Sequence, residues 1–332
     1  MAVRTYIIET EFAKIDNPQS ATTYIVLDDN DPTSVNKVVF KTNNINKEGE
    51  IYTVQNGQPA PEQKTCKFKF NSDGQFKFIK SGYGSYYLKV NDGEWTEYTD
   101  SQTVDVVTGD VIELKSDVKQ TSTTSVIKFS DYPSGAVAAV SWELEGDLIG
   151  TLYGDTFPNY GAYQMFQNCI GLTKVPNDMF ANYAYVPTGG CKEMFDGCTS
   201  LTIAPELPAT TLAENCYNAT FYGCTSLTTA PELPATTLAD SCYKYMFKGC
   251  TSLTTAPALP AQATRMYCYQ YMFQNCSQLN YVKCLLVVPF ESNCRDWLSG
   301  VSTTGTFVKT SFANWPTGAS GIPSGWTIED AE

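Results

Sequence analysis

The segment ADSCYKYMFKGCTSLTTAPALPA, residues 239–261, decides the fold of this chain because nearly the same segment stands before it. Residues 213–235 are AENCYNATFYGCTSLTTAPELPA, with cysteines, aromatic residues, glycine and prolines at matching positions. A catalytic motif rarely recurs at a fixed period, whereas a structural unit of a repeat protein does. We therefore expect a solenoid in which each such segment forms one turn, called a rung below.

The repeat extends to five copies when the chain is aligned on a Phe-x-Gly/Asn-Cys core. The phenylalanines are separated by 29, 26, 26 and 26 residues, and a cysteine follows each three positions later. We expect these residues to stack as ladders, that is, as equivalent side chains on successive rungs. The phenylalanines are Phe166, Phe195, Phe221, Phe247 and Phe273, and the cysteines are Cys169, Cys198, Cys224, Cys250 and Cys276.

A second cysteine series precedes the cores, so that ten of the chain's 12 cysteines follow the period. Its members are Cys191, Cys216, Cys242, Cys268 and Cys294. A decayed sixth copy begins at Cys294 and places Trp297 where Tyr271 stands in the copy before it.

Within one unit, the apolar residues predict a short helix followed by a strand. Leu238, Cys242, Met246 and Cys250 recur at intervals near one helical turn, which gives an apolar stripe. The position before the core cysteine is glycine or asparagine, the residues that tolerate the left-handed conformation ending a helix. The SLTTAP run at 252–257 then predicts a short strand, which its proline ends. Each unit is thus predicted to be helix, turn, strand and turn.

These repeats resemble a known family. The pattern MFxGCTSLTxAPELPATTLA is similar to the BspA-like leucine-rich repeats of Bacteroidales surface proteins and of their gut phages, including virion surface proteins of crAss-like phages. GDLIGTLYGD at 146–155 and GTFVKTSFANWPTGASGIPSGWTIED at 305–330 resemble the flanks of that family. The resemblance covers about residues 140–332, and the spacing of 26 lies within the range of leucine-rich repeats.

The predicted fold class is mainly β, with one or two small, sandwich-like N-terminal β domains before an α/β leucine-rich-repeat solenoid of about five units with caps. We expect a small β unit at 1–62 for anchoring or assembly, a β-sandwich-like spacer at 66–132, an N-terminal cap at 139–166, repeats at 167–300 and a C-terminal cap at 301–332. Four aromatic residues are expected to cover the last rung: Phe307, Phe312, Trp315 and Trp326.

The cysteines allow three interpretations: disulfides, metal ligands or buried thiols. Metal binding is disfavoured because the two cysteines of a unit are seven or eight positions apart, and the chain has no histidine and no CxxC pair. Stacked side chains point in parallel, which fits the torsion of a disulfide badly. We favour buried thiols that act as small apolar residues.

Composition narrows the classes of function. The net charge of −13 disfavours a nucleic-acid partner, because a phosphate-binding surface needs clustered lysine and arginine. No apolar run is long enough to predict a membrane helix, and the first residues do not resemble a secretory signal. The absence of histidine removes the commonest general base. We predict no catalytic residue, no metal and no cofactor.

Two acidic clusters are candidates for chemistry. The DDNDP stretch at 28–32 could bind calcium, but it lacks the ligand spacing of a calcium loop, and a solvated turn is favoured. Glu143, Glu145 and Asp147 could serve a glycosidase, although an exposed strand face explains their alternation better.

The repeats also present a candidate partner-binding face for glycan or protein. It consists of Thr202, Thr228, Thr229, Thr254, Thr255, Tyr245 and Tyr271. Solenoid faces commonly bind partners, while the structural alternative is that threonine simply favours strands.

The resemblance implies a non-enzymatic structural or adhesive protein of a phage virion, such as a head fibre, decoration or tail appendage protein. Made in the host cytoplasm and carried on the virion surface, it would bind host-surface or mucosal glycan or protein through the solenoid. Residues 1–62 would bind other virion proteins or further copies of the chain, with a homotrimer as one such assembly. The alternatives are a bacterial cell-surface adhesin of the same family without its export signal and, less favoured, a carbohydrate-active enzyme.

Overall fold

The computed structural model divides the chain into two compact units, residues 1–63 and 64–332. It describes residues 65–80, 86–98, 101–116, 127–132 and 138–331, together with the backbone of four strands in the first unit. Those strands form one sheet in chain order, with β1 and β2 parallel and the other pairs antiparallel. They are β1 Arg4–Ile8, β2 Thr23–Leu27, β3 Val35–Phe40 and β4 Ile51–Thr53.

The second unit begins with two sheets packed face to face. The larger contains β5 Cys66–Phe70, β7 Tyr86–Val90, β8 Thr96–Tyr98, β10 Val111–Ser116, β12 Trp142–Gly146 and β13 Leu172–Lys174. The smaller contains β6 Gly74–Lys80, β9 Gln102–Val106 and β11 Ile127–Ser130. Alternation turns Phe68 of β5 and Phe78 of β6 inward, where their ring centroids lie 5.3 Å apart. A dense aromatic core therefore joins the two sheets.

The larger sheet continues directly into the solenoid. β12 pairs antiparallel with β5 on one side and parallel with β13 of the first rung on the other. Phe129 of β11 stacks on Phe166 of the first rung with the ring centroids 5.2 Å apart. Between β12 and the first rung lies α1, Leu148–Tyr153, whose six residues are all buried. These contacts cover the N-terminal end of the solenoid core.

The chain is mainly β and contains a β-solenoid of about six turns, so the prediction of a mainly β solenoid is confirmed. The predicted helix in each unit is wrong. Among the described residues, α1 is the only α-helix, and residues 240–249 form a continuous series of turns. The α/β character expected of the repeats is therefore replaced by a ribbon of turns, called the turn segment below.

Backbone hydrogen bonds explain the turn segment. In residues 241–250, even-numbered N–H groups donate to the carbonyl three residues earlier, over 3.0–3.3 Å. Odd-numbered N–H groups donate to carbonyls of the next rung, over 2.8–3.2 Å. Every fourth residue is left-handed: Ser241, Tyr245 and Gly249 have φ values of 54°, 59° and 78°. The backbone donors are thus satisfied alternately within a rung and between rungs.

The expected exchange of glycine and asparagine at the left-handed position is confirmed, although it ends a turn segment and not a helix. φ lies between 61° and 78° at all six equivalent positions, namely Asn168, Gly197, Gly223, Gly249, Asn275 and Gly300. Both residue types adopt this conformation at low cost, since glycine lacks Cβ and the asparagine side chain bonds locally.

Side chains stack along the solenoid axis. The five core phenylalanines are fully buried, with successive ring centroids 5.3–5.6 Å apart. Beside them, the core cysteines donate their thiol hydrogens to the phenylalanine carbonyl of the preceding rung. The Sγ–O distances are 3.0–3.1 Å for Cys198, Cys224, Cys250 and Cys276.

The second cysteine series is in register only at Cys216, Cys242 and Cys268. The N–H of Cys191 bonds to the next rung as that of Tyr217 does, so Cys191 occupies the tyrosine position. At the other end, the left-handed residues Asp296 and Gly300 set the register. They align Cys294 with Tyr269 of the preceding rung. They align Trp297 with Met272, so the predicted alignment of Trp297 with Tyr271 is wrong. The period of 26 is thus kept at Cys191, where only the cysteine is displaced by one position, and it shortens to 25 between Tyr271 and Asp296.

A three-stranded parallel sheet follows the rungs. It contains β16 Tyr281–Cys284, β17 Gly305–Lys309 and β18 Trp326–Asp330, while the short pair β14 Tyr185–Val186 and β15 Thr211–Leu212 bridges earlier rungs. Trp297 stacks on Trp315 with the ring centroids 5.1 Å apart, and the buried Phe307 packs against both rings. Phe312 is 71% exposed, so the expectation that it covers the last rung is wrong. Among the described residues, no helix is suited to crossing a membrane.

Candidate ligand-binding groove

An open groove of about 500 Å³ lies on the outer face of the turn segments. Three outward positions of successive rungs form it: the left-handed residue in the middle of each turn segment, the residue before it and the residue three positions after it. The lining residues are Lys192, Glu193, Asp196, Asn218, Ala219, Tyr222, Lys244, Tyr245 and Lys248. The scaffold beneath is the ladder of buried phenylalanines and cysteines, which makes the groove rigid.

Tyrosine and lysine side chains dominate one half of the groove. Tyr245 stacks on Tyr271 of the next rung, with the ring centroids 4.9 Å apart and the planes within 3° of parallel. Lys248 Nζ lies 5.5, 5.3 and 5.7 Å from the ring centroids of Tyr222, Tyr245 and Tyr271. Each distance lies within the range of a cation–π contact. The half is therefore cationic and aromatic, a surface suited to planar or anionic groups.

The pKa shifts in this half follow from partial burial. Desolvation lowers the pKa of Lys244, because the charged ammonium is disfavoured where water is excluded. Burial raises the pKa of the Tyr245 hydroxyl, which therefore remains neutral at physiological pH. In the part of the chain that the structure describes, neither Lys244 nor Lys248 forms a salt bridge within 4.0 Å.

The other half of the groove is acidic and hydrogen-bonded. Glu193 accepts a hydrogen bond from Gln164 Nε2 over 2.7 Å, and its other oxygen lies 3.4 Å from Lys192 Nζ. Asp196 accepts from Gln167 Nε2 over 2.8 Å, while burial raises its pKa. These bonds leave both carboxylates with lone pairs for further donors, since each oxygen can accept more than one hydrogen bond.

The groove contains part of the differences between otherwise nearly identical units. Residues 213–235 and 239–261 differ at seven of 23 positions, and three of these pairs line the groove. The three pairs are Asn218/Lys244, Ala219/Tyr245 and Tyr222/Lys248. The changes introduce two lysines and a tyrosine into the groove, whereas the exposed pairs Glu214/Asp240 and Glu232/Ala258 differ outside it. The groove could thus have been found in the sequence from the positions at which the copies differ. An alignment based on the residues that the copies share does not draw attention to those positions.

The structure separates the threonines of the predicted face from its tyrosines. Thr202, Thr228, Thr229, Thr254 and Thr255 are exposed in the segment after each core cysteine, where isolated bridges such as Ile203–Thr229 link the rungs. None of these threonines lines the groove. Tyr245 lines the groove with Lys244 and Lys248, which sequence analysis did not single out, and Tyr271 stacks on Tyr245 beside it.

The acidic candidates have structural partners or lie outside the described residues. Glu145 forms a salt bridge with Lys69 on the neighbouring strand, with Nζ and Oε1 2.7 Å apart. Asp147 accepts the Gly150 N–H over 2.7 Å and so caps α1. Glu143 is partly exposed on the same face as Glu145. The DDNDP stretch at 28–32 lies outside the described residues.

All 12 cysteines are free and buried. Burial raises the pKa of every thiol, for example to about 12 for Cys276 and Cys284. Since the thiolate is the nucleophile and the metal ligand, these thiols are held in their unreactive form. No cluster of three metal-ligating side chains occurs among the described residues.

Comparison with protein families, with curated proteins and with solved structures gives no match. The groove is therefore interpreted from its own geometry.

Proposed function

We propose that this chain is a non-enzymatic structural and adhesive protein of a phage virion, such as a head fibre, decoration or tail appendage protein. Its solenoid is displayed on the virion surface and binds glycan or protein on the host surface or in mucus. Residues 1–62 bind other virion proteins or a second copy of the chain. The resemblance of the repeats to BspA-like proteins of gut phages supports the setting.

The observation that carries adhesion is the tyrosine–lysine groove, because three of the seven differences between two nearly identical units line it and introduce Lys244, Tyr245 and Lys248. Rigid aromatic side chains with adjacent cations supply contact area at low conformational cost. The raised thiol pKa values support a non-enzymatic role, since they keep the cysteines inert as nucleophiles.

The test combines location with adhesion. Mass spectrometry of purified particles whose genome encodes this chain should detect it among the virion proteins. Fluorescently labelled full-length chain should bind host cells, and a Tyr245→Ala/Lys248→Ala variant should bind at least tenfold less. The matched control is Thr228→Ala/Thr254→Ala, which changes exposed residues outside the groove and should bind as the wild type does. Absence of the chain from particles, or wild-type chain that does not bind cells, would overturn the proposal.

A further inference from the structure

We propose that the groove binds an acidic saccharide, with one sugar ring over Ala219 stacked on Tyr245 and its carboxylate or sulfate group between Lys244 and Lys248. This inference rests on the proposed adhesive function, because it names the ligand class of the same groove.

The tyrosine stack is interrupted at Ala219, which lines the groove and is 8% exposed. The left-handed position is filled by Tyr245 and Tyr271 on two successive rungs, and their rings stack at 4.9 Å. On the rung before, the same position is Ala219, whose side chain ends at Cβ. The Tyr245 face that points toward that rung is therefore not covered by a ring from its own ladder. A sugar ring can take the place of the missing tyrosine, because its C–H groups carry partial positive charge toward the negative face of the aromatic ring.

Two lysines supply the charge for an anionic group. The Nζ atoms of Lys244 and Lys248 lie 5.2 and 5.3 Å from the Tyr245 ring centroid, so both ammonium groups flank the proposed stacking site. Neither is neutralised by a salt bridge within the described residues. An anion held between two partly desolvated ammonium groups forms charge-assisted hydrogen bonds, which are about twice as strong as neutral ones.

The acidic half of the groove favours a saccharide over a polynucleotide. Glu193 and Asp196 line the same groove and act as acceptors. Sugar hydroxyls can donate to these carboxylates, whereas backbone phosphates have no donor and are repelled by them. The chain's net charge of −13 opposes a polyanion with a charge on every unit, but is compatible with a ligand whose charges are sparser.

The open shape favours a saccharide over an acidic peptide. Protein partners usually anchor a large side chain in a desolvated apolar pocket, and the groove residues form an open, largely polar surface. A flat ring with hydroxyl groups around its edge matches a tyrosine face bordered by lysine, asparagine and carboxylate groups.

The experiment is isothermal titration calorimetry of the full chain with defined probes: hyaluronan and chondroitin sulfate oligosaccharides, neutral maltohexaose and a single-stranded thymidine oligonucleotide. The decisive variant is Ala219→Tyr, which places at this position the residue found on the next two rungs. Ala219 has a φ of 55°, against 59° and 58° for Tyr245 and Tyr271, so the backbone already suits tyrosine. We expect an acidic oligosaccharide to bind at least tenfold more tightly than maltohexaose. Ala219→Tyr should lower that affinity at least tenfold with an unchanged thermal midpoint.

Lys244→Gln/Lys248→Gln should remove the preference for the acidic probe, and Thr228→Ala/Thr254→Ala should bind as the wild type does. Equal affinity for the neutral probe, tighter binding of the oligonucleotide, or acidic-saccharide binding that Ala219→Tyr leaves unchanged would overturn the inference. If labelled chain still adheres to host cells while no saccharide binds, the ligand is a protein; the inference then fails and the adhesive function stands. If the wild-type chain does not adhere to host cells, the proposed function itself is wrong.

Discussion

At the scale of single residues, the inward positions of a rung carry its stability. Phe247 is fully buried and stacks between Phe221 and Phe273, with the ring centroids 5.6 Å apart on each side. Thr254 is exposed on the same rung. Substituting each of the two residues therefore distinguishes the effect of losing core packing from the effect of changing an exposed position.

Phe247→Ala should lower the free energy of unfolding by about 3–5 kcal/mol, the usual cost of deleting a buried aromatic side chain. Thr254→Ala should change it by about 0.5 kcal/mol or less, as surface substitutions do. Urea denaturation followed by circular dichroism measures both. Equal destabilisation by the two substitutions would contradict the inward placement of Phe247.

At the scale of the element, the stacking of turn segments depends on which rungs have asparagine and which have glycine at the left-handed position that ends the segment. The Asn168 side chain points toward the next rung, where a Cβ on Gly197 would lie 2.6 Å from its Oδ1. The same holds for Asn275 and Gly300. Asparagine on one rung therefore requires glycine on the next.

This rule predicts that two chemically identical substitutions differ in cost. Gly223→Asn should be tolerated, because the next rung has Gly249 at the equivalent position. Gly249→Asn should lower the free energy of unfolding by about 1–3 kcal/mol more than Gly223→Asn does, because the new carboxamide meets the Cβ of Asn275 and the site is overpacked. Thermal unfolding of the two variants compares them directly. Equal midpoints would contradict the rule, because they would show that the new asparagine side chain adopts a rotamer that avoids Asn275.

At the scale of the whole molecule, the sheets of residues 65–132 and the solenoid form one structural unit. β12 pairs with β5 on one side and with β13 on the other, and Phe129 continues the phenylalanine stack into the smaller sheet. The boundary between compact units instead falls between residues 63 and 64.

Two truncations test this arrangement. A fragment of residues 64–332 should remain folded and monomeric, because it keeps every contact of the second unit. A fragment of residues 133–332 should unfold at a lower temperature or aggregate, since β12 loses its partner β5 and exposes a strand edge. Calorimetry and gel filtration distinguish the outcomes. If the shorter fragment unfolds at the same temperature as the longer one, the shared sheet does not stabilise the solenoid.

The contact between the sheets and the first rung of the solenoid also predicts that stability depends on pH. Asp131 is fully buried, and its Oδ2 accepts from Trp142 Nε1 over 2.9 Å and from the Gly171 N–H over 2.8 Å. Burial raises the pKa of Asp131 in the folded state, despite these bonds. Folding therefore favours the protonated form. Protonated Asp131 contributes fully to the free energy of unfolding below the ordinary aspartate pKa of about 3.9. This contribution is lost as the pH rises through the raised folded-state pKa.

Asp131→Asn removes the titrating proton and keeps an acceptor oxygen. We expect the stability of the wild type relative to this variant to fall as the pH rises above about 4. Denaturant unfolding of both proteins across that range isolates the effect from other titrating groups. A difference that stays constant with pH would contradict the raised pKa.

The amino-acid sequence by itself determined the period, the solenoid and the positions that face inward, because a residue type that returns every 26 positions must occupy one environment. It did not determine the backbone of the repeat. The apolar residues Cys242, Met246 and Cys250 recur at intervals of four, which on a helix of 3.6 residues per turn would drift by about 40° per step. Those intervals match the four-residue spacing of the left-handed residues instead.

Only the tertiary structure decided between these two conformations. Half of the N–H groups in the turn segment bond to the next rung, and such bonds exist only once the rungs are stacked. The groove has the same origin. Ala219, Tyr245 and Lys248 lie on two rungs, and they become one surface because stacking brings residues 26 positions apart into contact. Local propensity describes a single unit, whereas this fold is stabilised between units.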